Sequence, residues 1–180
     1  MELVYYFNMT HVNVEIKARS NNVNKVREIL KNKGADFKGI DHQIDTYFVV
    51  PNGRLKLREG NIENYLIHYE RVEDKNSKTS KVTLSEVKEN SNIKNVLLKA
   101  LKLLAIVDKK REIYFIDNVK FHIDEVENLG SFIEIEAIDP DGLFGIEKIT
   151  EQCAFYKNLF EVQESDLIDC SYSDLVMRNN

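Results

Sequence analysis

Val12-Asn13-Val14-Glu15-Ile16-Lys17-Ala18-Arg19 sets an apolar residue at every even position and a polar one at every odd position. That is the period of a strand with two unlike faces. Arg54-Leu55-Lys56-Leu57-Arg58 repeats it with three cations on one side. Val119-Lys120-Phe121-His122-Ile123-Asp124 and Ile133-Glu134-Ile135-Glu136-Ala137 repeat it again. Thr46–Val50, Tyr65–Val72, Lys81–Val87 and Glu112–Ile116 are rich in Tyr, Val and Ile and read as further strands. About eight strands are enough for a large antiparallel sheet or a closed barrel.

Helices fit between them. Val23, Val26, Ile29 and Leu30 make an apolar stripe after a cap among Ser20–Asn22, and Gly34 stops it. Ser91 caps a second helix, whose stripe Ile93, Val96, Leu97, Ala100, Leu101 and Leu104 reads as core. A third is expected from about Gly142 to Lys157, with Leu143, Ile146, Ile149 and Cys153 inward. Ser173–Met177 supplies a last turn, and Val72–Ser80 reads as an exposed loop. The order strand, helix, strands occurs twice, around Val12–Ser85 and Ser91–Ala137.

The polar faces decide the function class. A strand ordinarily turns such a face to water. Here the faces carry little Ser, Thr or Gln; they carry Glu15 and Lys17, Lys56 and Arg58, Lys120 and Asp124, Glu134 and Glu136. In a closed barrel one face must line the interior, and a lumen can be polar if it holds a ligand. Cations and carboxylates in one cavity suit a polyanion that arrives with a hard divalent ion. Arg grips phosphate oxygens in bidentate fashion.

Composition sets the outer bounds. The chain has 180 residues, 43% hydrophobic and 31% charged, with only seven Gly and two Pro, so a disordered or fibrous chain is excluded. A balance of 25 basic to 30 acidic residues argues against a general nucleic-acid binder. Two cysteines, Cys153 and Cys170, rule out a zinc site of four cysteines or of two cysteines and two histidines, and read as thiols in a reducing cytoplasm. No uncharged run approaches the ~18 residues of a membrane span. Neither a membrane nor a nucleic-acid partner is expected, and a homodimer is expected as the commonest closed assembly.

The motifs, taken in order, resemble the CYTH family of triphosphate tunnel enzymes, closest to class IV adenylate cyclase-like proteins. Asn13-Val14-Glu15-Ile16-Lys17 stands where the family has Glu-x-Glu-x-Lys. Asp45-Thr46-Tyr47-Phe48, Gly53–Glu59 and Tyr69-Glu70-Arg71 follow, then Val107-Asp108-Lys109-Lys110-Arg111, His122–Gly130 and Phe132–Glu136. The tail Ser171–Leu175 also resembles the cyclase branch. The resemblance covers residues from Asn13 to about Ala137.

It implies an α+β fold: an eight-stranded antiparallel barrel, the triphosphate tunnel, with helices outside. One such domain is expected over 9–180, with 1–8 as an N-terminal extension. Mg²⁺ or Mn²⁺ is the implied cofactor, held by Glu15, Glu134 and Glu136. Lys17, Lys56, Arg58, Arg71 and Lys120 would hold phosphates, and Lys109, Arg111 and Asp124 would stand at the reacting centre. Asp124 is open there to a proton-accepting or a supporting role. His122, between Lys120 and Asp124, reads as a polar lining residue. The implied reaction is conversion of ATP to cyclic AMP and pyrophosphate. The alternatives are hydrolysis of thiamine triphosphate or inorganic triphosphate, and non-catalytic nucleotide or polyphosphate binding. Asn13 departs from the family pattern: an amide oxygen replaces a carboxylate.

Overall fold

The computed structural model describes residues 10–74, 77–88 and 91–179, with the side chains of 10 and 71–78 outside that description. Its strands are β1 (Thr10–Arg19), β2 (Asp36–Phe48), β3 (Arg54–Glu59), β4 (Tyr65–Asp74), β5 (Ser77–Glu86), β6 (Leu103–Ile116), β7 (Val119–Val126) and β8 (Gly130–Asp139). They close into an antiparallel barrel in the order β1-β5-β4-β3-β2-β6-β7-β8. The first five strands are contiguous, as are the last three, and the two runs join along β2–β6 and β1–β8.

The barrel is packed inside out. Val14 and Ala18 of β1, Val119, Phe121 and Ile123 of β7, and Ile133, Ile135 and Ala137 of β8 are buried on its outer wall. Helices α1 (Val23–Asn32) and α3 (Ile146–Leu159) cover that wall with Val26, Leu30, Ile149 and Cys153. Phe121 sits edge-on to Tyr156 and Phe160, at 4.6 and 5.7 Å between centroids. Each such side chain contributes about 1.5–3 kcal/mol. With the apolar faces satisfied outside, the alternation of the strands sends the charged faces inward.

Three sequence expectations need correction. The exposed loop over Val72–Ser80 is instead the continuation of β4 and β5, paired Val72 to Thr79 and Asp74 to Ser77; Lys75 and Asn76 lie outside the described residues. A segment polar on both faces shows no alternation, so the pattern misses it. The second helix, α2, ends at Ala100, and Leu103 already belongs to β6. None of α2 is buried, and Val96 is 53% exposed, so its stripe is not core. The third helix starts at Ile146, leaving Leu143 and Ile146 exposed. Gly142 and Gly145 take positive φ there, and the Asp139 carboxylate accepts the backbone N–H groups of Phe144 and Gly145 at 3.2 and 2.9 Å.

A fourth helix, α4 (Tyr172–Asn179), closes one end of the barrel. Tyr172 packs edge-on to Phe132 at 5.0 Å and joins Tyr47, Val107, Val126 and Leu129 in a second apolar cluster. Asp174 anchors the helix, accepting from Ser171 N–H, Ser171 Oγ and Arg54 Nη2. Both cysteines are buried and unbridged, and no helix among the described residues is long and apolar enough to cross a membrane.

Candidate active site in the tunnel

The barrel encloses a cavity of about 800 Å³. Lys17, Lys56, Arg58, Lys109, Arg111 and Lys120 all line it, together with Glu15, Glu134 and Glu136. Five strands, β1, β3, β6, β7 and β8, contribute these side chains, and those of β1, β3, β7 and β8 do so through the face that alternation singled out. Two expected residues are not among these. The Arg71 side chain lies outside the described residues. Asp124 is fully buried behind Arg111 and does not line the cavity. It accepts from Arg111 Nε at 2.7 Å and from the Tyr172 hydroxyl at 2.8 Å. Of the two roles open to Asp124, that geometry fits the supporting one.

Three carboxylates organise the cations. Asp45 accepts Nε and Nη2 of Arg58 at 2.9 and 3.0 Å, Lys56 at 3.0 Å and Lys109 at 2.7 Å. Burial alone would raise its pKa; Arg58, Lys109 and Lys56 outweigh that and hold it well below the usual carboxylate range. Glu134 binds Lys17 at 3.0 Å, Arg111 at 2.6 Å and His122 Nδ1 at 3.0 Å, and is likewise held ionised against burial. Glu63 binds Arg58 at 2.9 Å and also Lys120.

Asp45 and Glu63 were not among the expected site residues. Asp45 was legible in principle, because it lies opposite Arg58 in the β2–β3 register. Glu63 was not, since it sits in the β3–β4 loop where no period applies. Asp41 aims that loop, accepting the N–H groups of Ile62 and Glu63 at 2.9 and 3.0 Å and that of Asn61. Gly60 permits the approach: a Cβ there would stand 2.7 Å from both Asp41 oxygens.

Burial also tunes two nitrogens. Lys109 is pushed down to about 7, because desolvation and the neighbouring Arg58, Arg111 and Lys56 outweigh Asp45. His122 is pushed down to about 4 by desolvation and Arg111. It is therefore neutral at pH 7, with Nδ1–H donated to Glu134 and no partner on the buried Nε2.

Among the described residues no three His, Cys, Asp or Glu side chains gather as a metal site. The three expected ligands divide instead. Glu134 is occupied by Lys17, Arg111 and His122. Glu15 and Glu136 face each other directly across β1 and β8; Lys17 stands 3.3 Å from Glu15, and Lys120 outweighs burial to hold the Glu136 pKa below the usual carboxylate value. Beside them the Asn13 amide donates to Glu136, while its buried Oδ1 has no partner. Two carboxylates and a spare amide oxygen are a hard donor set, suited to Mg²⁺ or Mn²⁺.

Comparison with known proteins agrees with this architecture. Residues 11–169 match the CYTH domain. The chain is 28% identical over 176 residues to a Methanocaldococcus jannaschii protein named "putative adenylate cyclase", covering 91% of this chain and 98% of that one. A solved Pyrococcus horikoshii OT3 structure superposes with a TM-score of 0.77 at 26% identity, covering 91% of this chain and 98% of the other. A Hippeastrum adenylyl cyclase-named protein, described as having a dominant triphosphatase activity, shares the fold at a TM-score of 0.64 and 13% identity, covering 94% and 96%.

Proposed function

The chain belongs to the CYTH domain family, and on that footing we propose that it is a metal-dependent enzyme converting ATP to cyclic AMP and pyrophosphate, the class IV adenylate cyclase reaction. The observation that carries this is the ring of inward Lys and Arg side chains beside the opposed Glu15 and Glu136. A triphosphate brings roughly four negative charges, counting about two on its terminal group. Lys17, Lys56, Arg58 and Lys120 bind its oxygens, exchanging carboxylate partners for phosphate ones. Lys109 and Arg111 stand deepest and neutralise charge that builds on the phosphoryl oxygens as the ribose 3′-oxygen gives its proton to solvent and bonds to the α-phosphorus while the bond to pyrophosphate breaks.

Asn13, Glu15 and Glu136 are the residues that would hold Mg²⁺ or Mn²⁺. Such an ion supplies Lewis-acid stabilisation of phosphoryl charge. Glu134 keeps Lys17 and Arg111 in place, and Asp124 with Tyr172 fixes the Arg111 guanidinium from behind.

The second reading is a triphosphatase, with water attacking the terminal phosphorus of thiamine triphosphate or inorganic triphosphate. It is favoured by the fact that the cations grip a triphosphate without marking which phosphorus reacts. A third, binding without turnover, draws on Asn13. Incubation with ATP and Mn²⁺ and chromatography of the products separates the three. Cyclic AMP with pyrophosphate supports the first, free phosphate the second, and saturable binding with unchanged ATP the third.

A further inference from the structure

Of the three carboxylates that organise the cations, Asp45 projects from β2 and Glu134 from β8, and Glu63 alone comes from a loop. Both of its oxygens are engaged. Oε2 accepts from Arg58 Nη1 at 2.9 Å and from Gln43 Nε2 at 3.1 Å, and Oε1 accepts from Lys120. Arg58 stands on β3 and Lys120 on β7, with β2 and β6 between them in the ring. One carboxylate thus joins cations from two separated parts of the wall, each by a charge-assisted bond. A phosphate group is gripped in the same way.

The backbone that carries Glu63 is fixed, and its side chain is not. Asp41 accepts the N–H groups of Asn61, Ile62 and Glu63. Gly60 and Asn64 close the loop on each other, Gly60 N–H to Asn64 Oδ1 at 3.1 Å and Asn64 Nδ2 to the Gly60 carbonyl at 2.8 Å. Yet the Glu63 side chain lines the cavity and keeps 14% of its surface accessible, where Asp45 has none. It can rotate toward the lumen while the loop stays in place. Arg58 then still holds Asp45 through two bonds, and Lys120 still has Glu136 as a neighbouring charge.

We propose, resting on the tunnel being a triphosphate site, that Glu63 is an internal competitor of the ligand. Its carboxylate and a phosphate group take the same seat between Arg58 and Lys120, and binding turns the side chain out on its fixed loop. Apparent affinity is then the intrinsic value reduced by the fraction of time the seat is open. Asp45 and Glu134, set by strand pairing on both sides, do not compete. The exchange also runs in reverse: as a bound anion loosens, the returning carboxylate closes on the two cations and speeds its release.

Titration calorimetry of inorganic tripolyphosphate without divalent metal tests this on the intact protein. Glu63→Gln and Glu63→Ala should each bind at least about tenfold tighter than the unaltered chain, as for a seat open less than about a tenth of the time. Glu63→Asp, which keeps the charge, should tighten by less than either. Unchanged or weaker binding in the Gln and Ala variants would overturn the proposal, since Glu63 would then position the cations as Asp45 does. Equal tightening in all three variants also overturns it, because charge would not be the cause. If tripolyphosphate binds none of the four proteins, the triphosphate reading itself fails, and the competitor with it. A further measurement needs no variant to fold. The amides of Asn61, Ile62 and Glu63 should exchange hydrogen equally fast with and without saturating tripolyphosphate, because Asp41 keeps them. Faster exchange with the ligand would show the whole loop expelled and sink the fixed-loop exchange.

Discussion

Lys109 Nζ rests 2.7 Å from Asp45 Oδ2, and neither side chain reaches solvent. The two are not a balanced pair. Asp45 shares its charge among three cations, while Lys109 is crowded by Arg58, Arg111 and Lys56. The carboxylate therefore stays ionised and the amine gives up its proton near neutrality.

That asymmetry predicts a pH dependence of binding. Polyphosphate oxygens raise the Lys109 pKa from about 7, so binding takes up a proton and affinity falls as pH rises above about 7. Calorimetry of tripolyphosphate at pH 8, in two buffers of different ionisation enthalpy, should report net proton uptake. Lys109→Met should remove most of it. Without ligand the sign is opposite. A lysine whose folded pKa lies below its unfolded value penalises the fold at low pH, and the penalty fades between about 7 and 10.4.

Asp45→Asn should leave Lys56, Arg58 and Lys109 facing one another without their common anion. Removing one partner of a buried ion pair costs about 3–5 kcal/mol. A lower melting temperature is expected, and tripolyphosphate should restore more of it than in the unaltered protein. Thermal unfolding with and without the anion measures both effects.

The inward Glu pair of β8 should separate on substitution. Glu134→Gln strips Lys17, Arg111 and His122 of their carboxylate and is expected to destabilise by about 3–5 kcal/mol. Glu136→Gln keeps an oxygen for the Asn13 amide and gives up both the carboxylate's attraction to Lys120 and its opposition to Glu15, so metal-free stability should fall by less than for Glu134→Gln. Its signature is Mn²⁺ affinity, which should fall by more than about tenfold, roughly 1.4 kcal/mol. Unfolding curves and a Mn²⁺ titration on the two single variants distinguish them.

Asn13→Glu adds a third carboxylate beside Glu15 and Glu136. Mn²⁺ should bind tighter by about tenfold, roughly 1.4 kcal/mol, while the metal-free protein loses stability to like-charge repulsion. Unchanged Mn²⁺ affinity would place the ion elsewhere.

The alternation around Glu15, Arg58, Lys120 and Glu134 made both the barrel and its charged lining readable, because a period of two reports which side chains share a face. Its reach ended where period carries no information. Leu97–Leu104 is apolar apart from Lys99 and Lys102 and holds no Gly or Pro, so nothing in it marks the change from α2 to β6. Val72–Ser80 is polar on both faces and lacks the contrast a strand needs to be seen. Asp124 shares the inward parity of Lys120 and His122, yet parity cannot tell a lining carboxylate from one sealed behind Arg111. Glu63 reaches the lumen from a loop, through backbone donors to Asp41, and only the folded coordinates bring those together.

The pairing of β1 with β8 has a consequence for how the chain is made. Val12 finds its partner at Asp139, so the ring cannot close until most of the polypeptide has been synthesised. At 5–20 residues per second the first strand waits roughly ten seconds for the last. Through that interval β1 has an open edge toward β8, and long-range closure of this kind is slow even for a complete chain. Residues in the β1–β8 seam, Val14, Ala18, Ile133 and Ala137 among them, are therefore where a substitution harmless to the finished barrel would first show itself as aggregation during biosynthesis.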